Sequence, residues 1–219
     1  MRTAQIRLLP FIAAALVALA GGSVFAAAVV FRSFDADVVG LPPPGFTFLA
    51  TGRNPPGVWE VRRAGPLHHL EHVAGPRSVT ANALATVGPA VKDVRVSVNM
   101  RLIDGWRVAG VLWRYQDPDN FYAVTISLQQ QELLLYRRTH GSRIQLDRIS
   151  GLALDHELWH NVTVVHRGDQ VNVQLDGISV LGARDAWVAT AGPGGVWADS
   201  ASRAWFDDLW IEDLSESGG

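Results

Sequence analysis

The sequence predicts an all-β protein that folds as a two-sheet antiparallel sandwich. Short runs in which apolar and polar residues alternate follow one another along most of the chain, and a period of two is typical of strands with one buried face. Turn-forming pairs such as Asp176-Gly177 separate the runs. No stretch after residue 31 has a sustained helical period with capping residues. About a dozen strands joined by hairpin turns are typical of a sandwich.

The clearest alternation runs from Val94 to Leu102, where five apolar residues alternate with Arg95, Ser97, Asn99 and Arg101. We expect the apolar set to be buried and the polar set to face solvent or a groove. Further strands are predicted at 29–35, 46–50, 57–63, 69–73, 107–115, 122–128, 133–138, 143–149, 161–166, 171–175, 178–181, 194–199 and 204–212.

Four turns divide these strands into hairpins. Asp176-Gly177 is the strongest two-residue hairpin signal in the chain. His140-Gly141 and Gly168-Asp169 separate two more pairs of strands, and 117–120 is a turn whose side chains bond to their own backbone. A short turn is also expected near residues 155–159.

Composition excludes some classes of protein. The 219 residues are 48% hydrophobic and 18% charged, with no cysteine and a formal net charge of −2. This hydrophobic content supports a sizeable core. A mildly acidic chain lacks the basic footprint that nucleic acid requires, so we expect no nucleic-acid partner. Without cysteine the fold has no disulfides and depends on its core.

The N-terminus has the features of an export signal. Arg2 and Arg7 precede an alanine-rich apolar run, and small residues then fit a cleavage site. We therefore predict a hydrophobic export helix over residues 1–28 that acts as a signal peptide. The alternative is an uncleaved membrane anchor over residues 11–31, which is just long enough to span a bilayer. Either interpretation places the remainder outside the cytoplasm, in a bacterial periplasm or secreted.

The remaining chain is predicted to be one domain. Residues 29–214 contain no internal repeat, and the Pro/Gly-rich segment 40–57 is interpreted as a loop between early strands. Residues 215–219 are predicted to be a disordered tail. A single β-domain of this length can bury its own core, and we expect a monomer.

Four passages, taken in order, resemble a known group of proteins. They resemble the exported bacterial domains grouped with laminin-G-like and concanavalin A-like jelly rolls, in particular the 3-keto-disaccharide hydrolase-type family. The likeness covers residues 30–212. The passages are Phe34-Asp35-Ala36-Asp37 with Val58-Trp59-Glu60-Val61; Ala109 to Tyr122; Leu135-Tyr136-Arg137 with Leu158-Trp159-His160-Asn161-Val162 and Leu175-Asp176-Gly177; and Gly192 to Trp197 with Phe206-Asp207-Asp208-Leu209.

The resemblance implies a concanavalin A-like jelly-roll sandwich in which ligands lie on the concave sheet. It does not imply one activity, because such folds include lectins, hydrolases, lyases and adhesion modules. Sugar recognition needs flat apolar faces and planar hydrogen-bonding groups. The predicted ligand groove is lined by Arg101, Trp113, Arg114, Tyr115, Thr125, Gln129, Arg137 and Trp197. The alternative is that the tryptophans fill the core and the arginines are solvated.

Catalysis by two carboxylates on one strand is not predicted. The Glu-x-Asp-x-x-Glu pattern of jelly-roll glucanases is absent. Asp207 and Asp208 are adjacent in a predicted strand, so we expect them to point to opposite faces and not to flank one glycosidic bond. The segment from His68 to His72 lacks a partner motif for a metal and is interpreted as a strand or loop.

Calcium is the ion that the sequence favours. Calcium prefers carboxylate and carbonyl oxygens, and sandwiches of the resembled kind often join their first and last strands through such an ion. Asp35 and Asp37 lie near the first strand, and Asp207 and Asp208 lie in the last. The alternative is that these four are surface acids at strand ends.

These observations rank three functions. The first is glycan binding on the concave sheet by an exported domain that contacts an oligosaccharide. The second is a glycan-processing enzyme, either a keto-glycoside hydrolase or a lyase-like protein. The third is a structural envelope module that binds another protein through a sheet face.

Overall fold

A computed structural model of the chain describes residues 29–75 and 81–215. Within these ranges it contains fifteen strands and no helix, so nothing there has the length and apolar character of a membrane-spanning helix. The predicted export helix, residues 1–28, and residues 216–219 of the predicted tail lie outside the described residues.

The strands follow the predicted order. They are β1 (Val29–Arg32), β2 (Phe46–Ala50), β3 (Val58–Ala64), β4 (Leu67–Val73), β5 (Asn82–Val91), β6 (Val94–Gly105), β7 (Val108–Asp117), β8 (Asn120–Ser127), β9 (Glu132–Thr139), β10 (Ser142–Ser150), β11 (His160–Arg167), β12 (Gln170–Leu175), β13 (Ile178–Arg184), β14 (Gly192–Asp199) and β15 (Ser202–Asp213).

Two antiparallel sheets form the predicted sandwich. The first sheet has the order β13-β12-β11-β6-β15-β4-β3, and β1 also pairs with β15. The second sheet has the order β10-β9-β8-β7-β14-β5-β2. The predicted turns at Asp176-Gly177, His140-Gly141 and Gly168-Asp169 each join two neighbouring strands.

The core lies between the sheets and follows the predicted alternation. In β6, the five apolar residues from Val94 to Leu102 are at most 2% exposed, while Arg95, Ser97, Asn99 and Arg101 are half-buried on the outer face. The opposing strands of the second sheet contribute the alternate residues of β7, β8 and β14 to the same core. Burial of these apolar side chains is the main stabilising contribution to the fold.

Strand β5 was not predicted. Its inner face carries Ala83, Ala85 and Val87, and its outer face carries Leu84 and Thr86. Alanine is a weak strand signal, and the Gly88-Pro89 pair that follows suggests a loop. The strand nevertheless pairs with both β2 and β14, so its position inside the sheet overrides its composition.

The outer face of the second sheet carries a separate apolar group. We call this group the outer cluster; it is less than 2% exposed throughout and sits on the opposite side of the sheet from the core. The indole of Trp197 lies against Gly110 and donates from Nε1 to the carbonyl of Val124 at 3.1 Å. The outer cluster comprises Leu84, Leu112, Phe121, Ala123, Tyr136 and Trp197.

One end of the sandwich holds a buried polar network around Arg114. Arg114 has φ +48° at a bulge in β7, which turns its side chain into the protein, where it is fully buried. The guanidinium donates to the carbonyl oxygens of Lys92, Val188 and Gly168 at 2.6, 3.1 and 3.1 Å. Arg114 therefore joins three loops at this end of the fold.

Trp113 and His166 occupy the neighbouring core. Nε1 of Trp113 donates to Nδ1 of His166 at 2.9 Å. Burial, followed by the positive charge of Arg114, lowers the pKa of His166 to about 3, and Asp93 and Asp169 oppose this shift only in part. The imidazole is therefore neutral in the folded protein at ordinary pH.

We predict that Arg114→Met lowers the free energy of unfolding by about 3 kcal/mol, because three carbonyl groups, of which that of Val188 is buried, lose a charged donor. Urea denaturation followed by tryptophan fluorescence measures the change. Arg95→Met is the matched control: Arg95 is half-exposed and pairs with Glu212 on the surface, so its loss is expected to cost less than about 1 kcal/mol. Equal effects of the two substitutions would contradict the structural role of Arg114.

We also predict that His166 contributes a loss of stability as the pH decreases from about 6.5 to about 3. An unfolded histidine takes up a proton near its ordinary pKa of 6.5, whereas folded His166 does so only near 3, so protons favour the unfolded chain across that window. His166→Gln should make the loss shallower in denaturation curves recorded at a series of pH values. His156→Gln, at an exposed position, should leave the slope unchanged.

Candidate functional site

The outer face of the first sheet carries polar residues in register across three strands. Asn99 of β6 pairs with Asn161 of β11 on one side and with Asp207 of β15 on the other. Nδ2 of Asn161 donates to Oδ1 of Asn99 at 2.9 Å, and Nδ2 of Asn99 donates to Oδ2 of Asp208 at 3.0 Å. Thr163 extends the chain of hydrogen bonds by donating to Asn161 at 2.9 Å. We call Thr163, Asn161, Asn99 and Asp208 the polar ladder.

A bulge in β15 places two adjacent carboxylates on this face. Asp207 opposes Asn99, but the next paired residue is Trp210. Asp208 has φ +49°, a conformation that aspartate tolerates better than most residues. Asp207 and Asp208 therefore line the same cavity. The expectation that they point to opposite faces is wrong, because the bulge interrupts the alternation on which it depended.

The cavity beside these carboxylates has a volume of 330 Å³, within the range of small-ligand sites. We call it the Trp159 cavity. The loop between β10 and β11 supplies Trp159, which is 39% exposed. The carbonyl of His156 in that loop accepts a hydrogen bond from Nε of Arg101 at 3.1 Å, which ties the loop to β6. The lining residues are Ala64, Leu67, His68, His69, Asn99, Trp159, Asp207 and Asp208.

Aromatic rings form one side of this region. The ring of Trp205 packs 4.2 Å from the ring of His69 and 6.3 Å from that of Trp159, measured between centroids. The guanidinium of Arg101 lies 5.5 Å from the centre of the Trp205 ring, which is a cation–π distance.

Buried Glu71 fixes the orientation of these groups. Its carboxylate accepts hydrogen bonds from Nε1 of Trp205 at 2.6 Å and from Nε and Nη2 of Arg203 at 2.9 and 3.2 Å. Burial alone would raise the pKa of Glu71, but its neighbours His69, Arg203 and Trp205 outweigh burial and lower the pKa to about 2. Glu71 is therefore ionised, and it holds the indole plane of Trp205 in place.

The Asp207 carboxyl is in a different electrostatic environment. Burial, with added repulsion from Asp208 and Asp35, raises the pKa of Asp207 to about 7. The backbone amide of Asp208 donates to Oδ1 of Asp207 at 2.8 Å and only partly opposes this rise. Asp207 thus keeps a proton to near neutral pH, while two other carboxyl groups lie close to it.

The structure does not bring the predicted groove residues together. Arg101 lies on the outer face of the first sheet, beside the Trp159 cavity, whereas the other seven belong to strands or turns of the second sheet. Trp113 and Arg114 are fully buried and engaged in the network described above. Their burial contradicts the prediction that they line a ligand groove, because Trp113 faces the core and the bulge turns Arg114 inward.

The other predicted groove residues are dispersed. Tyr115 and Trp197 belong to the outer cluster or pack against it, and Thr125 is buried. Arg137 forms an ion pair with Asp185, and its guanidinium lies 5.0 Å from the ring centre of Trp187. Gln129 is exposed in the turn after β8, where it lines a separate cavity of 510 Å³ with Trp106 and His156.

The four predicted calcium ligands are only partly brought together. Asp35, Asp207 and Asp208 interact electrostatically, but Asp37 is held in an ion pair with Arg32 at 2.7 Å. In the described ranges, no three His, Cys, Asp or Glu side chains are arranged to hold a metal ion. The four acids therefore do not form a ready ligand set, and calcium binding stays a prediction.

The sequence does not indicate that Trp159, His68 and His69 line one cavity. The alternation of β6 did place Asn99 on an outward face, and this part of the prediction is confirmed. Trp159 lies just before β11, and no local pattern indicates that its loop crosses the sheet face. Contacts between the loop and β6 are long-range and leave no signal in the spacing of residues.

Comparison with solved structures supports the fold. The carbohydrate binding module CBM66 from Bacillus subtilis matches with a TM-score of 0.63 and 16% identity over 77% of this chain and 96% of its own. Domain 4 of AbnA, a GH43 extracellular arabinanase from Geobacillus stearothermophilus, was solved in complex with arabinotriose. It matches with a TM-score of 0.60 and 12% identity over 86% of this chain and 93% of its own.

A third neighbour is an enzyme. A prokaryotic β-1,3-1,4-glucanase (lichenase) derived from a mouse hindgut metagenome matches with a TM-score of 0.55 and 12% identity over 85% of this chain and 99% of its own. No family model and no curated protein matches the sequence, so membership of the 3-keto-disaccharide hydrolase-type family stays a prediction. Identities this low show the fold alone: the protein has a two-sheet, concanavalin A-like jelly-roll fold.

Proposed function

We propose that this protein binds a glycan in the Trp159 cavity, on the outer face of the first sheet. The observation that carries the proposal is the combination in one cavity of an exposed indole with polar groups. Trp159 offers an apolar ring face, and Asn99 and Asp208 offer planar hydrogen-bonding groups beside it. This is the combination that sugar rings, with apolar C–H faces and hydroxyl edges, require.

The hydrogen-bonding groups at the site are already positioned. The polar ladder fixes Asn99 and Asp208 on rigid strands, and Glu71 fixes the Trp205 ring that supports the aromatic wall. Fixed groups lose little conformational entropy when a ligand binds. Two neighbours support the proposal: one is described as a carbohydrate binding module, and the other was solved with arabinotriose.

We further propose that the domain acts outside the cytoplasm. The support is the sequence of residues 1–28, where two arginines precede an alanine-rich apolar run and a small-residue cleavage pattern. An oligosaccharide of an envelope or an extracellular medium is the ligand that fits such a location.

Glycan hydrolysis is the second candidate function. The specific observation in its favour is that the β15 bulge places Asp207 and Asp208 in the same cavity. Glycoside hydrolases use two carboxyl groups around one bond, one protonated and one ionised. In such a reaction Asp207 would donate the proton to the glycosidic oxygen, and Asp208 would be the second carboxyl group. Product analysis after incubation with each bound oligosaccharide tests this candidate, and Asp207→Asn should remove any turnover.

Calcium at the β1–β15 end of the sheet remains a proposal that melting experiments test. If an ion joins Asp35 to Asp207 and Asp208, excess Ca²⁺ should raise the melting temperature above that measured in EDTA, because a ligand that binds only the folded state stabilises it. Mg²⁺ at the same concentration is the control for ionic strength. Identical melting temperatures in Ca²⁺, Mg²⁺ and EDTA would remove calcium from the site.

We predict that Trp159→Ala weakens binding of the glycan identified in an oligosaccharide panel by at least about 30-fold, the loss typical of a central aromatic contact. Calorimetric titration of the full chain measures the affinity. Trp106→Ala is the matched control, because Trp106 is also 39% exposed but lines the separate cavity near Gln129. If Trp106→Ala abolishes binding and Trp159→Ala does not, the ligand site is elsewhere.

A further inference from the structure

The Trp159 cavity has an uncompensated negative charge. Within residues 29–75 and 81–215, Asp35, Asp207 and Asp208 form no ion pair with an arginine, lysine or histidine. Their hydrogen-bond donors are neutral: the backbone amide of His68 for Asp35, the amide of Asp208 for Asp207, and the Asn99 side chain for Asp208.

The arginines of this face are committed elsewhere. Arg203 is bound to Glu71, and Arg62 forms an ion pair with Glu60 at 2.6 Å. Arg101 lies over the Trp205 ring and donates to the carbonyl of His156. None of these three guanidinium groups is therefore free to neutralise the carboxylates at the cavity.

A second observation at the cavity concerns its histidines. His69 lines the cavity and is only 1% exposed, and its Nε2 lies 3.6 Å from Oε2 of Glu71, its ion-pair partner. Nδ1 of the neighbouring His68 is buried without a hydrogen-bond partner. In the described ranges neither imidazole forms an ion pair with Asp35, Asp207 or Asp208, so the two histidines do not offset the charge of these carboxylates.

We propose that the Trp159 cavity selects a glycan whose sugar carries a free amino group, such as a glucosamine residue. The ammonium group would lie at the carboxylate of Asp208, next to Asp207 and Asp35, and the apolar face of the ring would lie against Trp159. A cation also gains from the nearby indole face. This inference rests on the proposed glycan-binding function and names the class of sugar. A uronic acid is disfavoured, since its carboxylate would meet like charge.

Three β-1,4-linked tetrasaccharides test the proposal because they differ only at C2: a glucosamine oligomer with amines, its fully N-acetylated form, and cellotetraose with hydroxyls. Titration calorimetry on the full chain, slightly below neutral pH, should give the glucosamine oligomer an affinity at least about tenfold above that of the other two. Raising the salt concentration should weaken the binding of the glucosamine oligomer and leave that of the other two unchanged, as expected for a preference based on charge.

The variants separate this inference from the proposed function. Asp208→Asn should reduce the preference for the amine while retaining weak binding of the neutral oligomers. Asp104→Asn, an equal change of charge at an exposed position of β6, should leave the preference intact. Trp159→Ala should lower all three affinities. Circular dichroism confirms that each variant is folded.

Each outcome decides a specific point. Equal binding of the three oligomers, or tighter binding of cellotetraose, overturns the amino-sugar inference but leaves glycan binding standing. If Ca²⁺ binds by itself and displaces the glucosamine oligomer, the carboxylates form a metal site. This result would also overturn the inference. Failure of every oligosaccharide in the panel removes both proposals.

Discussion

The strict alternation of inward and outward side chains is the constraint on which this structure depends. Two sheets can bury a common core only if each strand keeps its apolar residues on one face, and β6 does so from Val94 to Leu102. The alternation fails, among other places, at Arg114 and Asp208, two of the non-glycine residues with positive φ. Both failures coincide with shifts in strand register.

The two irregularities have opposite effects. At Arg114 the bulge turns a charged side chain inward, where it binds the carbonyl oxygens of three loops and holds one end of the sandwich together. At Asp208 the bulge keeps two successive carboxyl groups on the outer face, beside an indole and two histidines. A regular strand would have sent one of the two carboxylates into the core, where its desolvation would be costly.

This difference explains what the sequence could and could not predict. Alternation is a local signal, so the strands, the turns and the outward position of Asn99 and Arg101 were predictable. β5 was missed because alanines weaken its pattern. The positions of Arg114 and Trp113 were mispredicted because a bulge has no reliable sequence signature and because a lone tryptophan fits either face. The Trp159 cavity depends on a loop that crosses the sheet, and only tertiary contacts reveal such a path.

The hydrogen bond between Trp205 and buried Glu71 has a consequence for how this surface could change during evolution. Glu71 is ionised while His69, Arg203 and Trp205 all contact it, so replacing one of these partners alone weakens the stabilisation of a charge buried in the interior. Substitutions at these positions must therefore accompany one another during evolution. The loop that bears Trp159 meets this group through the packing of one ring against those of His69 and Trp205, so its other residues can change one at a time on an unchanged aromatic support.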